Sequence, residues 1–258
     1  MGAQPSRSKI KVAARLIGVT GLRGAYHVQR LARNRDVGGA PRVVRVHALG
    51  DAPVQLRAGT TDAMVFIETF VGLEHSPPPE VAAARIVWDL GANIGLTVAH
   101  YAAMFPCAAV RAVELHPETA RAAEVNVAPW SDRCTLSVGA VWIEDGEITY
   151  EFEKGQEYAA RLQETGTHGT GGRRAPSFSL NTLTAGDLVI DFLKMDIEGA
   201  EQAVLRRNTE WAERVRAIKV ATHPPYSLEE CAEDLRALGF ETRLDYGNWG
   251  SSVIGVRL

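Results

Sequence analysis

The apolar positions of this chain fall into short, nearly unbroken runs that alternate with segments of helical period. RIVWDL (85–90), AVRAVEL (109–115), CTLSVGAVW (134–142), VIDFLKMDI (189–197) and VRAIKVATH (215–223) have strand length and are mostly apolar on both faces. Between and after them, 95–104, 117–128, 198–207 and 227–238 read as helices. Phe105-Pro106 and Gly239 supply stops, and Pro117 sits at a first-turn position. Strands apolar on both sides, each followed by a helix, predict an α/β fold: a mostly parallel sheet with helices on both faces. GEITYEFE (146–153), after the turn at Asp145-Gly146, reads as an antiparallel neighbour of 134–142. ETRLDY and SVIGVRL read as a closing antiparallel hairpin.

Upstream the pattern changes. Residues 8–35 have helical period interrupted at Gly18, Gly21 and Gly24. Two short strands, 42–48 and 53–57, meet at Gly50-Asp51, and 58–72 reads as a cap followed by a helix. The stiff Ser76-Pro77-Pro78-Pro79 segment divides an N-terminal helical extension and cap segment (1–79) from the main domain (80–258). Residues 155–177 are polar and rich in Gly and Thr, which leaves two readings open, a mobile lid or a disordered loop.

The stretch VWDLGANIGLTV (87–98) carries the first chemical signal. A strand, a glycine turn and a helix start form a nucleotide-binding unit, but a dinucleotide site needs glycine where this chain has Asn93. Asp89 also puts a negative charge at the turn, where a pyrophosphate would be repelled. S-adenosylmethionine has a sulfonium and an ammonium and no phosphate, so it suits the turn. Glu114 lies 19 residues after Gly95 at the next strand end, where a carboxylate can accept both ribose hydroxyls.

DLGANIGLTVAHYAAMFP, AVELHPE, SLNTL and FLKMDIEGAEQAVL, with LRAGTTDAMVFIETF upstream, resemble the FkbM-type methyltransferases over residues 55–240. The resemblance implies a class I, Rossmann-like fold with a seven-stranded sheet. It implies methyl transfer from S-adenosylmethionine to a hydroxyl of a sugar or polyketide-type secondary metabolite, as in antibiotic biosynthesis. Carried over, it puts Asp89, Gly91, Ala92, Asn93 and Gly95 in the cofactor turn and Glu114 and Leu115 at the ribose. It puts Gly139 and Ala140 beside adenine, Asp196 beside the methionine part, and Thr61 and Asp62 over the cofactor. The chain departs from the family at Ala221-Thr222-His223, where an acid is expected before the histidine. Transfer to nitrogen or to a carboxylate of a small molecule or peptide stays open, as does a non-catalytic S-adenosylmethionine-binding protein.

Taking a proton from an acceptor hydroxyl requires a base at the strand ends, and the candidates are His223, Asp196, Glu198 and Lys194. His223 leads, as a neutral imidazole that would give a pH limb near about 6.5. Glu198 and Glu201 read as first-turn helix acids. A metal is not expected, since HPPYS after the fifth strand offers no second acid beside Asp196, and the other histidines lack ligand spacing.

Charge and composition add boundaries. Residues 1–35 hold eight basic side chains and no acid, although the whole chain has a net charge of -3. A solvated basic face is the plain reading of that arm; contact with an acidic partner or subunit is the sharper one. Nothing in the charge points to nucleic acid, and no apolar run is long enough for a membrane span. Three scattered cysteines fit a reducing, cytoplasmic setting. The partners expected are a small-molecule acceptor and, in an oligomer, further copies of the chain.

Overall fold

The computed structural model describes residues 7–33, 39–152, 160–163, 172–247 and 251–257. α1 (Arg7–Arg33) runs through Gly18 and Gly24 and kinks only at Gly21, where φ is 70°. β1 (Arg42–Val46) and β2 (Ala52–Leu56) form an antiparallel hairpin. α2 (Asp62–Ile67) continues into a π turn, Glu68–Gly72. These pieces pack directly on the main sheet's first helix. Leu16, Val28, Val44, Leu56 and Phe66 share one core with Ile94, Leu96 and Ala99. The basic Arg15, Arg23 and Arg30 of α1 are exposed.

The alternating unit comes next: β3 (Ile86–Leu90), α3 (Leu96–Met104), β4 (Ala109–Glu114), α4 (Pro117–Val127) and β5 (Cys134–Val138). The strand expected over 134–142 ends at Gly139. A side chain there would lie 2.6 Å from the Pro176 carbonyl oxygen and 2.6 Å from the Phe178 ring, so only glycine lets the chain pass. Beyond it, β6 (Ala140–Trp142) leaves the main sheet and joins β7 (Gly146–Phe152), β8 (Ala160–Gln163) and β9 (Arg173–Ser179). The order in this small sheet is β6-β9-β7-β8. β7 therefore pairs with β8 and β9, not with the preceding strand as expected. The region read as one loop, 155–177, contains β8 and most of β9. Residues 153–159 and 164–171, on which the lid reading rests, lie outside the described residues.

α5 (Leu180–Leu183), β10 (Phe192–Met195), α6 (Glu201–Arg206), β11 (Ala217–Ala221) and α7 (Leu228–Ala237) complete the parallel part. β12 (Glu241–Tyr246) and β13 (Ser251–Val256) form the antiparallel hairpin at one edge. The main sheet has seven strands in the order β12-β13-β11-β10-β3-β4-β5. The period of two explains how it buries both faces. Trp88, Leu193 and Met195 face the core under α6 and α7, while Val87 and Phe192 face the core under α3. In this register Lys194 pairs with Asp89 across β10 and β3, which aims both at one spot near the carboxyl ends. No helix among the described residues is long and apolar enough to cross a membrane.

One side chain joins the N-terminal extension to the glycine turn. Asn126, fully buried on α4, accepts from the Gln55 N–H at 2.6 Å. It donates to the Gln55 carbonyl at 3.2 Å and to the Ile94 carbonyl at 2.9 Å. Asn126→Ala leaves these buried groups without partners, each costing about 1–3 kcal/mol. We expect it to lower the urea midpoint by an amount equivalent to about 2–3 kcal/mol with the slope unchanged; a midpoint equal to wild type would show that Asn126 does not hold the two parts together.

Candidate active site

The carboxyl ends of β3, β4, β10 and β11 open into a cavity of about 570 Å³. Ligands of open α/β sheets bind at such ends. α2 and the segment carrying Glu74 and His75 close it from the other side.

At one end stands Glu114. Its Oε2 accepts from the Asn93 N–H and its Oε1 from the His116 N–H, both at 2.8 Å. Burial nevertheless pushes its carboxyl above the usual range. A carboxylate has about four acceptor sites, so two backbone bonds leave capacity for ligand hydroxyls. Asn93 holds φ at 48° because its own Oδ1 accepts from the Ile94 N–H, a left-handed turn that asparagine tolerates.

In the middle lies Lys194, almost fully buried. Its Nζ donates to the Gly91 carbonyl at 2.7 Å and lies 3.1 Å from Asp89 Oδ1 and 3.6 Å from Asp196 Oδ2. Burial alone would lower its pKa, but Asp89 and Asp196 outweigh that and raise it. Lys194 is therefore a fixed cation, not the base proposed for it from sequence. Asp89 differs too. It is fully buried, its Oδ2 accepts from Thr97 Oγ1, and it has no surface on the cavity. It supports the turn through Lys194 and does not line the cavity. Gly91 is required here: its φ is 80°, and a Cβ would lie 1.8 Å from the Asp196 carbonyl oxygen.

The far end is built from the loop after β10. Glu201, fully buried, accepts from the Ile197 N–H at 3.0 Å and the Gly199 N–H at 2.9 Å. This folds 196–200 into a tight loop in which Glu198 has φ 55°. α6 thus begins at Glu201, and Glu198 is a loop residue facing the cavity, not a helix acid as expected. Glu201 Oε1 also meets His223 Nδ1 at 2.9 Å. His223 Nε2 lies 3.3 Å from Glu198 Oε2 and 3.6 Å from Asp196 Oδ1. Burial would lower the imidazole, but the Glu201 bond and the charges of Asp196 and Glu198 push it up to about 9. That corrects the neutral-imidazole reading: in this setting His223 keeps its proton near neutrality. Burial and Asp196 push Glu198 up to about 7. Asp196 is held below its ordinary value, because Lys194 and His223 outweigh the effect of burial.

Of the residues expected at the cofactor, Gly91, Ala92, Asn93, Glu114, Leu115, Gly139, Ala140, Asp196 and Thr61 line the cavity. Three lie one layer behind it. They are Asp89, Gly95, which packs on Ala123 and Val127, and Asp62. Asp62 is buried against Arg57, accepting from its N–H at 2.7 Å and from its guanidinium at 2.9 and 3.0 Å. It fixes the start of α2 and does not close over the ligand. Sequence reasoning missed Thr97, Glu68, Glu74 and His75 on the cavity wall and the central part of Glu201. Burial, aided by Lys194, lowers His75 to about 4, so it is neutral beside Asp196 at 3.9 Å.

The lining tests the ligand. Among the described residues, Glu68, Glu74, Glu114, Asp196 and Glu198 face the cavity against Lys194, Lys219 and the protonated His223, and the Lys194 charge is already taken up. Such a surplus of acid suits the sulfonium and ammonium of S-adenosylmethionine and would repel a pyrophosphate.

The family model of the FkbM methyltransferase domain matches residues 89–242. No curated protein sequence matches the chain. Among solved structures, it is similar to a methyltransferase FkbM from Methylobacillus flagellatus at 13% identity and a TM-score of 0.47, covering 90% of this chain and 59% of that one. An O-methyltransferase family protein from Burkholderia thailandensis gives 16% identity and a TM-score of 0.47, with 76% and 58% covered. Aeropyrum pernix fibrillarin, solved with bound S-adenosylmethionine, gives 14% and 0.46, with 86% of each chain covered. Those likenesses are distant, whereas the family match takes in the glycine turn, Glu114, the Lys194–Glu201 segment and His223. The chain belongs to the FkbM methyltransferase family and is a class I enzyme that uses S-adenosylmethionine as its methyl donor.

Proposed function

We propose that the chain methylates a hydroxyl of a sugar or polyketide-type small molecule, with the acceptor seated at the Asp196–Glu198–His223 end of the cavity. The observation that carries this reading is the convergence of Glu198 and Asp196 on His223 Nε2, at 3.3 and 3.6 Å, beside the glycine turn.

Bound S-adenosylmethionine supplies an electrophilic methyl group on a positive sulfur. The protein's part is binding, alignment and proton removal. Glu114 has acceptor capacity for the ribose hydroxyls, and Gly91, Ala92 and Asn93 form the wall along the amino-acid part. Gly139 and Ala140, small residues where β5 hands over to β6, border the base. An acceptor hydroxyl at the far end meets carboxylate oxygens of Asp196 and Glu198. Glu198 is the more suitable proton acceptor, since burial and Asp196 push its carboxyl up to about 7, whereas Lys194 holds Asp196 below its ordinary value. Ser251, Ser252 and Thr222 on the same wall give a polyhydroxylated acceptor further partners. A carboxylate acceptor would meet like charge here and is disfavoured.

Mass spectrometry of acceptors incubated with methyl-labelled S-adenosylmethionine tests the reading. Label on oxygen supports it, and label found on nitrogen alone would replace it with N-methylation. Glu114→Ala should weaken S-adenosylhomocysteine binding tenfold or more by calorimetry, since hydrogen bonds to charged groups are worth about 1.5–3 kcal/mol. Wild-type affinity in that variant would remove Glu114 from the cofactor site. Glu198→Gln should lower kcat by roughly 10²-fold or more with S-adenosylhomocysteine affinity unchanged; unaltered turnover would place proton removal elsewhere.

A further inference from the structure

We propose that Asp196, Glu198 and His223 form a binding site for one divalent transition-metal ion at the acceptor end of the cavity. Among the described residues this group alone offers three potential ligand atoms that all lie within 4.8 Å of one another. The imidazole Nε2 is 3.3 Å from Glu198 Oε2 and 3.6 Å from Asp196 Oδ1. Bonds of about 2.0–2.2 Å to such ions place neighbouring donors roughly 3.0–3.4 Å apart. Nε2 is thus near the required spacing from each carboxylate, and the third separation is within 4.8 Å.

The second observation is Glu201. A histidine that binds a metal through one nitrogen commonly gives the hydrogen of the other to a carboxylate, which fixes the ring and its tautomer. Glu201 Oε1 stands 2.9 Å from His223 Nδ1 and turns Nε2 to the cavity. Glu201 is fully buried and is itself held by the Ile197 and Gly199 N–H groups. The ring orientation is thus built by two layers of contact. The donor set, one imidazole and two carboxylates, suits manganese, iron or zinc better than magnesium, which favours all-oxygen sites.

Binding of the ion displaces the Nε2 proton of His223 to solvent, and the three protein donors leave further positions open toward the cavity. If the acceptor lies there, as proposed above, its hydroxyl oxygen can take one of them. The ion would make that hydroxyl more acidic. Its O–H bond breaks, the proton goes to the oxygen of Glu198 not engaged by the ion, and the oxygen takes the methyl from the sulfonium. The sulfur keeps the electron pair of the broken bond and leaves as a neutral thioether. This role rests on the proposed acceptor position; binding of the ion does not.

The test uses the full chain freed of metal by chelation, with Mn²⁺ as probe. Free Mn²⁺ is read by its electron paramagnetic resonance signal, and zinc binding by calorimetry. We expect one Mn²⁺ per chain. His223→Ala and Glu198→Gln should weaken it at least tenfold, and Glu201→Gln by about 10–100-fold. Glu114→Gln, a lost charge at the other end of the same cavity, should bind Mn²⁺ as wild type does. Retained S-adenosylhomocysteine binding shows that each triad or Glu201 variant is folded. No saturable binding of Mn²⁺ or zinc by wild type, or equal binding by His223→Ala, would overturn the site. Saturable binding with undiminished methylation in chelated protein would overturn the acceptor role alone.

Discussion

Lys194 is a buried ammonium at the centre of this molecule, and the site is arranged around it. Register places it beside Asp89 on the neighbouring strand, and its Nζ also reaches the Gly91 carbonyl and the Asp196 carboxylate. Burying a single charge costs several kcal/mol unless partners replace water. Here the partners come from two adjacent strand ends. The same contacts that satisfy the ammonium fix the glycine turn on one side and Asp196, the first acid of the proposed acceptor end, on the other. Without this cation, Asp89 and Asp196 would confront each other in a poorly solvated space.

From that centre the cavity divides into two chemically different ends. At the Glu114 end, backbone N–H groups hold one carboxylate beside small residues, a setting for hydroxyls and a flat base. At the other end three acids, Asp196, Glu198 and Glu201, converge on one imidazole. Each end depends on polar side chains that never meet a ligand. Asn126 anchors the turn to the N-terminal segment, Asp62 fixes α2 through Arg57, and Glu201 shapes the loop that carries Glu198. The N-terminal segment is part of this arrangement, since α2 and the residue before it supply Thr61, Met64 and Val65 to the cavity wall.

The main sheet is legible in the sequence because its strands and helices follow simple apolar periods, and the glycine turn and Glu114 both reach the cavity wall as expected. What escapes is set by contacts distant in sequence. The end of β5 at Gly139 depends on the approach of Pro176 and Phe178, which no local pattern records. Asp89 and Asp62 read as facing a ligand because a carboxylate at a strand or helix end is usually wet. Nothing in the sequence around them reveals a lysine or arginine folded over the charge. Glu198 reads as a helix acid because Glu201 stands at helical spacing from it. Only the two N–H bonds made by Glu201 reveal a loop there. The state of His223 is hidden for the same reason: three acids, none of them on its own strand, surround it.

The claim that Lys194 holds both the turn and the acceptor end is tested most directly by Lys194→Met, which keeps the bulk and removes the charge. The buried Asp89 would lose its counter-ion, a change worth about 3–5 kcal/mol. Urea unfolding and S-adenosylhomocysteine calorimetry on this variant should show that loss of stability together with cofactor binding weakened at least tenfold. A Lys194→Met protein with wild-type stability and wild-type affinity would contradict the account.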